Sequence, residues 1–240
     1  MMNKVALITG ASRGLGQTLA TFLAGRGFHL IITARGGETL AATARTLETY
    51  GQTVIAIAGD VTEPSHRQQL LQATEQLGRL DLLVNNASIL GPSPQPVLAD
   101  YPIETLEQVL AVNLLAPLAL IQATWPLLKQ SHGLIVNITS DAAVSGYAHW
   151  GGYGASKAAL DLFSLTLAHE LQGDGVSVVS VDPGDMRTQM HQEAFPGEDI
   201  SDRPLPDVTI PFWAWLLGQA PAAITGNRFQ AQTEHWLIPA

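Results

Sequence analysis

Residues 5–16 read Val5-Ala6-Leu7-Ile8-Thr9-Gly10-Ala11-Ser12-Arg13-Gly14-Leu15-Gly16. The run 5–8 is apolar without a break, the pattern of a strand buried on both faces of a parallel sheet. It ends in Thr9-Gly10, and a helical pattern follows over 14–26. The glycines fall at the strand-to-helix turn in the spacing Gly-x-x-x-Gly-x-Gly. Glycine there permits a tight turn and close approach of the backbone to a ligand. The free N–H groups and the dipole of the helix N-terminus favour an anion. An ordinary glycine-rich turn is the alternative. The position between first strand and first helix favours the pyrophosphate of a dinucleotide, held by Gly10, Ser12, Arg13, Gly14, Leu15 and Gly16.

The same alternation continues outward along the 240 residues. Strand-like runs at 28–33, 54–57, 80–85, 133–138 and 176–181 alternate with helical patterns at 37–50, 64–77, 103–130 and 152–172. Strict alternation gives right-handed βαβ units and a doubly wound parallel sheet of the Rossmann type, with helices on both faces. A short helix near 209–218 and a last strand near 227–230 bring the count to about seven strands in a single α/β domain, 1–240. Between 183 and 207 the pattern dissolves into Pro, Gly and charge, with room for one short helix. A loop of that length in a compact domain is usually functional, so residues 185–207 are expected to cover a substrate.

Composition narrows the classes. The chain is 46% hydrophobic, enough for a sizeable core, and its formal charge of -9 argues against a nucleic-acid partner. It has no cysteine, hence no disulfide framework or zinc-thiolate site, which fits a reducing compartment. The apolar run that begins at Val5 is too short for a signal peptide. Elsewhere no stretch reads as long and apolar enough to span a membrane. The expectation is a soluble, cytoplasmic protein with no membrane partner.

The end of the second strand bears on the choice of dinucleotide. An NAD site usually places Asp or Glu there for the ribose hydroxyls. This chain has Ala34 followed by Arg35, and Arg13 lies inside the glycine turn. Two guanidinium groups in place of a carboxylate suit a 2′-phosphate, so NADP (NADPH) is expected ahead of NAD. The competing reading makes both surface arginines, and Glu38 is the nearby carboxylate that would favour NAD.

Tyr153 and Lys157 lie four apart on one helical run and so share a face. Alone the pair is a weak motif. Ser140 follows the fifth strand and Asn85-Asn86-Ala87-Ser88 closes the fourth, and open α/β sheets bind ligands at such carboxyl ends. Taken with Asp60-Val61 after the third strand, Asn113, and Pro183-Gly184 followed by Thr188, these residues resemble the short-chain dehydrogenase/reductase family in order and spacing over essentially the whole chain. Ser88 departs from the glycine usual in the family, a change expected to touch local packing or the pocket wall and not the chemistry.

The resemblance implies an oxidoreductase that moves a hydride between the nicotinamide and a small-molecule carbonyl or alcohol, with Tyr153 as general acid/base. It implies that Lys157 lowers the Tyr153 pKa and holds the nicotinamide ribose, and that Ser140 donates to the substrate oxygen. Asp60 and Val61 would contact the adenine, Asn86, Ala87, Pro183 and Gly184 would line the cofactor, and Thr188 would reach the carboxamide. Asn113 would anchor a relay water. Pro117 has no N–H for the Asn113 carbonyl, which predicts a local kink there, with that carbonyl free for the water. Tyr147, His149, Trp150, Met186 and Met190 are candidates for the substrate wall, with surface or subunit contact as the alternative for the first three. The apolar segment 212–217 reads as a core helix or a buried subunit contact, and the helical stretches 103–130 and 152–172 as pairing faces of a homotetramer or dimer. Two other functions use the same motifs: an epimerase or dehydratase on the same site, and a non-catalytic NADP-binding regulator. The full set Asn113, Ser140, Tyr153 and Lys157 argues against the regulator, which needs no general acid.

Overall fold

The computed structural model describes residues 4–238. Seven parallel strands form one sheet in the order β3-β2-β1-β4-β5-β6-β7. They are β1 Val5–Thr9, β2 His29–Ala34, β3 Val54–Ala58, β4 Leu82–Asn85, β5 Leu134–Ile138, β6 Ser177–Asp182 and β7 Arg228–Gln230. The connecting helices are α1 Gly14–Gly25, α2 Gly37–Glu48, α3 Pro64–Leu77, α4 Ile103–Leu110, α5 Ala116–Ser131 and α6 Gly151–Leu171. Three short helices follow: α7 Gln189–Ala194, α8 Ile210–Leu216 and α9 Pro221–Ile224.

Period-two alternation sorts each strand between two cores. Ala6 and Ile8 of β1 face α1, α2 and α8, packing with Leu19, Leu40 and Phe212. Val5 and Leu7 face the opposite layer, packing with Leu70 of α3 and Leu120 and Leu128 of α5. Both faces are therefore covered, as the continuous apolar runs require. The exception is β3. Its sequence is equally apolar, yet its residues are half-buried or exposed, because it is one of the two edge strands.

The strand order reverses between β2-β1 and β4-β5, which opens a crevice at the strand carboxyl ends. Residues 5–16 reach it through β1 and residues 82–88 through β4.

Two differences from the sequence reading concern the 103–131 region. In place of the expected kink the helical run continues unbroken through a π turn, Ala111–Leu115, in which the Ala116 N–H reaches the Ala111 carbonyl. Wider turns of this kind recur at functional sites. Second, the continuous helical span Ile103–Ser131, of 29 residues, does meet the length and apolarity of a membrane-crossing segment. Its apolarity also has a role inside the fold, since Leu120, Ile121 and Leu128 pack against β1, β4 and β5. The segment 212–217 is a core helix, with Phe212, Trp213 and Leu216 buried. The short helix α9 lay outside the sequence reading.

Candidate active site

The glycine turn is held from below by an amide. Asn86 Nδ2 donates to the Thr9 carbonyl at 2.8 Å and to the Gly10 carbonyl at 3.1 Å, and the Asn86 N–H donates to Thr9 Oγ1 at 3.0 Å. The fit leaves no room for side chains. A Cβ at Gly16 would sit 2.3 Å from the Gly10 carbonyl oxygen. Gly10 and Gly14 have φ of 66° and 55°, the left-handed region where glycine is favoured. Arg13 caps α1 in an extended conformation, and no side chain caps the first N–H groups. That leaves a phosphate-sized set of free donors at a helix N-terminus.

A cleft of about 1300 Å³ runs from this turn across the strand ends. Gly10, Ser12, Arg13, Gly14, Leu15, Gly16, Arg35, Asp60, Val61, Asn86, Ala87, Pro183, Gly184 and Thr188 all line it. Ala34 and Arg35 are on its wall and Glu38 is not. Burial favours a higher pKa at Asp60, but hydrogen bonds from Thr62 and the nearby Arg35 charge outweigh it and hold the carboxyl below its ordinary value. Arg13 Nη1 donates to Gln189 Oε1 of α7, so the glycine turn already touches the far wall. Thr188 lies against Gly14 and caps α7, its Oγ1 accepting from the His191 N–H at 3.2 Å.

Ser140, Tyr153 and Lys157 line the other end of the same cleft. Ser140 follows β5, and its hydroxyl accepts from the Ala142 N–H at 3.2 Å and donates to Asp141 at 3.0 Å. Lys157 is buried and its Nζ donates to the Ile138 carbonyl at 2.8 Å. Burial lowers its pKa to about 8, against a partial rise from the Asp161 charge. The ammonium lies 5.6 Å from the centroid of the Tyr153 ring.

The expectation that Lys157 lowers the Tyr153 pKa is not met: the ammonium is not among the groups that shift it. Burial of the phenol raises its pKa above the ordinary value, the Asp182 and Asp141 charges add to the rise, and only hydrogen bonding with Ser88 and Ser140 opposes it. Tyr153 therefore rests as the protonated acid.

The reading of Ser88 as a bystander also changes. Its hydroxyl donates to Asn113 Oδ1 at 3.1 Å and hydrogen-bonds the Tyr153 phenol. Asn113 is buried behind the cleft wall, at the π turn. Its Oδ1 also accepts from the Ile89 N–H at 2.9 Å, and its Nδ2 donates to the Ile89 carbonyl at 2.9 Å and to Ser156 Oγ at 3.0 Å. All four hydrogen-bonding positions of that amide are taken, which fixes its orientation.

Of the substrate candidates, Trp150, Met186 and Met190 line the cleft, joined by His191, which opens the same loop in the sequence, and by Leu90 and Phe195, which the sequence did not single out. Trp150 meets the Tyr153 ring edge-on at 5.8 Å and the Phe195 ring at 5.9 Å. Tyr147 reaches the cleft, but its hydroxyl is committed to Asp141 at 3.0 Å. His149 does not line the cleft. It adopts φ 70° in a turn closed by the Trp150 N–H to the Tyr147 carbonyl, which leaves it exposed. No spacing rule marks Leu90 or Phe195, because each reaches the cleft by loop folding alone.

A glycine turn under a helix N-terminus, at the switch point of a doubly wound sheet, defines a dinucleotide-binding protein. Residues 4–199 match the family model for short chain dehydrogenases, and the chain belongs to that family of oxidoreductases. It is 34% identical to the rhamnolipids biosynthesis 3-oxoacyl-[acyl-carrier-protein] reductase of Pseudomonas aeruginosa, over 95% of this chain and 94% of that protein. A short chain dehydrogenase structure from Pseudomonas syringae superposes with a TM-score of 0.90 at 34% identity, covering 96% of each chain. Another from Shigella flexneri, complexed with NADP, gives 0.87 at 32% identity over 97% of this chain and 98% of that one.

Proposed function

We propose that the protein is an NADP(H)-dependent reductase of carbonyl compounds, or the reverse dehydrogenase, with Tyr153 as the proton donor or acceptor. The observation that carries the reading is the convergence of Ser140, Tyr153 and Lys157 on the cleft that also holds the glycine turn. A bound nicotinamide supplies the hydride, and the chain supplies position and proton. Ser140 donates to the carbonyl oxygen as negative charge grows there, and the resting phenol of Tyr153 is in the state that gives a proton. Lys157, still mostly cationic near neutral pH, stabilises the negative charge left on the Tyr153 oxygen once its proton has gone. Arg13 and Arg35, with Ala34 in place of a carboxylate, support selection of the 2′-phosphate. The P. aeruginosa relative is by name a 3-oxoacyl-[acyl-carrier-protein] reductase, and the Shigella structure holds NADP, which agrees with both halves of the reading.

Leu90, Trp150, Met186, Met190 and Phe195 favour a substrate with an apolar body beside its carbonyl. Exposed Leu115, Leu162 and Leu165 on the 103–131 and 151–171 helices support a homo-oligomer, a tetramer or dimer. The cysteine-free chain suits a cytoplasmic setting.

The test is loss of NADPH absorbance, against NADH, over ketones, aldehydes, diketones and 3-oxoacyl thioesters. Turnover with NADPH that falls by about 10²–10⁴ in Tyr153→Phe is the expected result, the range for loss of a general acid. Tight NADPH binding with no turnover of any carbonyl would move the reading to a regulator or to the epimerase and dehydratase class.

A further inference from the structure

Arg228 enters from the last strand and ends behind the catalytic groups. Its Nε donates to Asp161 Oδ2 at 3.0 Å, and its Nη2 donates to the Ser140 carbonyl at 2.8 Å and to Asp182 Oδ2 at 3.3 Å. The three partners belong to three elements that each carry part of the site. Asp161 lies one helical turn beyond Lys157 on α6. Ser140 is itself a candidate catalytic residue. Asp182 ends β6, and its other oxygen accepts from the Gly184 N–H at 3.0 Å, on the turn that lines the cofactor cleft. The Asp161 and Asp182 side chains are only 16% and 6% exposed. Asp161 Oδ1 is buried with no hydrogen-bond partner among the described residues. Two carboxylates in so dry a place need a cation, and the guanidinium is planar enough to serve both and still hold the serine carbonyl.

We propose that Arg228 is a positioning residue: it clamps the Ser140 carbonyl, Asp161 and Asp182 into one charge-paired cluster that orients Ser140 and limits the negative field at Tyr153. The proposal rests on the reductase reading for its kinetic part only. The charges that act on the phenol are Asp141 from the turn after β5 and Asp182 from β6, Lys157 from α6 lies 5.6 Å from its ring, and Asp161 from α6 and Arg228 from β7 join them through Lys157 and Asp182. Burial raises the Tyr153 pKa, the Asp182 and Asp141 charges add to the rise, and Arg228 is ion-paired with the first of these carboxylates at 3.3 Å. Without the guanidinium the Asp182 charge acts unopposed. The phenol then keeps its proton to higher pH.

The experiment compares the full-length protein with Arg228→Met, Arg228→Lys, Arg228→Met with Asp182→Asn, and Arg228→Met with both Asp161→Asn and Asp182→Asn. Two readouts are taken: NADPH-dependent turnover against pH, and the melting temperature against pH. Arg228→Met is expected to lower kcat by about tenfold to hundredfold, the cost of a misplaced donor, with NADPH affinity within about twofold of wild type. Its alkaline limb should move to higher pH and return when Asp182→Asn is added. Arg228→Lys should restore the melting behaviour better than kcat, since it keeps the charge and loses the planar fork.

The melting series stands without any substrate. Burial already holds the Asp182 carboxyl above its ordinary value against the Arg228 charge, so this group contributes stability at low pH that is lost as pH rises through its folded value, and loss of the guanidinium raises that value further. The deficit of Arg228→Met should therefore grow between about pH 5 and pH 8 and vanish in the triple variant. A deficit independent of pH overturns the clamp. Wild-type kcat and limb in Arg228→Met overturn the positioning role. If the wild-type protein turns over no carbonyl, the reductase reading fails, and the melting series still decides the cluster.

Discussion

The two walls of the cleft are made by different means. The cofactor wall is backbone: a glycine turn, a helix N-terminus, and an amide from Asn86 that ties the turn to β4. Its tolerances are set by atoms that cannot move. The substrate wall is side chain: Trp150, Met190, His191 and Phe195 touch one another through rings and a thioether on short elements. Such a wall can re-pack around different ligands. The difference teaches that one half of the cleft is fixed by backbone geometry and the other is free to choose what it accepts.

Substitutions on the two walls should therefore differ in kind. The largest effect is expected from Gly16→Ala. Its Cβ would meet the Gly10 carbonyl at 2.3 Å, and forcing the turn apart should cost about 1–3 kcal/mol and abolish measurable NADPH binding. Thermal melting with and without NADPH checks both. A variant that still binds NADPH would show that the turn yields, and the contrast between the walls would break. Next comes Arg35→Gln. Loss of one charge-assisted contact, about 1.5–3 kcal/mol, should reduce the preference for NADPH over NADH by about tenfold to hundredfold while NADH affinity holds. Equal losses for both cofactors would move Arg35 off the 2′-phosphate. The smallest effect is expected across the cleft, from Phe195→Ala. KM should change severalfold, in a direction that depends on substrate size, with NADPH affinity unchanged. A matching fall in NADPH affinity would mean that the lid and the cofactor wall are one unit.

Much of the first wall is legible in the sequence because it is local. The strand, the turn and the helix N-terminus of residues 5–16 are contiguous, and glycine marks the positive φ angles directly. Ser140, Tyr153 and Lys157 are readable because strand ends and a four-residue helical spacing bring them to one edge. What escapes the sequence depends on neighbours in the sheet. Arg228 meets Ser140 across 88 residues, and only the order β5-β6-β7 makes them adjacent. The apolar run of β3 carries no mark of being an edge. His149 sits between two cleft residues yet faces outward, because one positive φ turns the chain. Ser88 was visible as an oddity, but its bonds to Tyr153 and Asn113 need the π turn and α6 to be placed together.

Counted in turns, the span from 103 to 131 holds one residue more than a regular helix would use over the same path, and Asn113 lies inside that surplus. In most helices an added residue rotates everything after it by about 100° and turns an apolar face to water. Here the extra residue is absorbed within a single wide turn, so the α5 leucines still meet the sheet. The helix thus has two registers, one set by the site and one by the core. The wide turn is the phase shift that lets a single run of chain obey both.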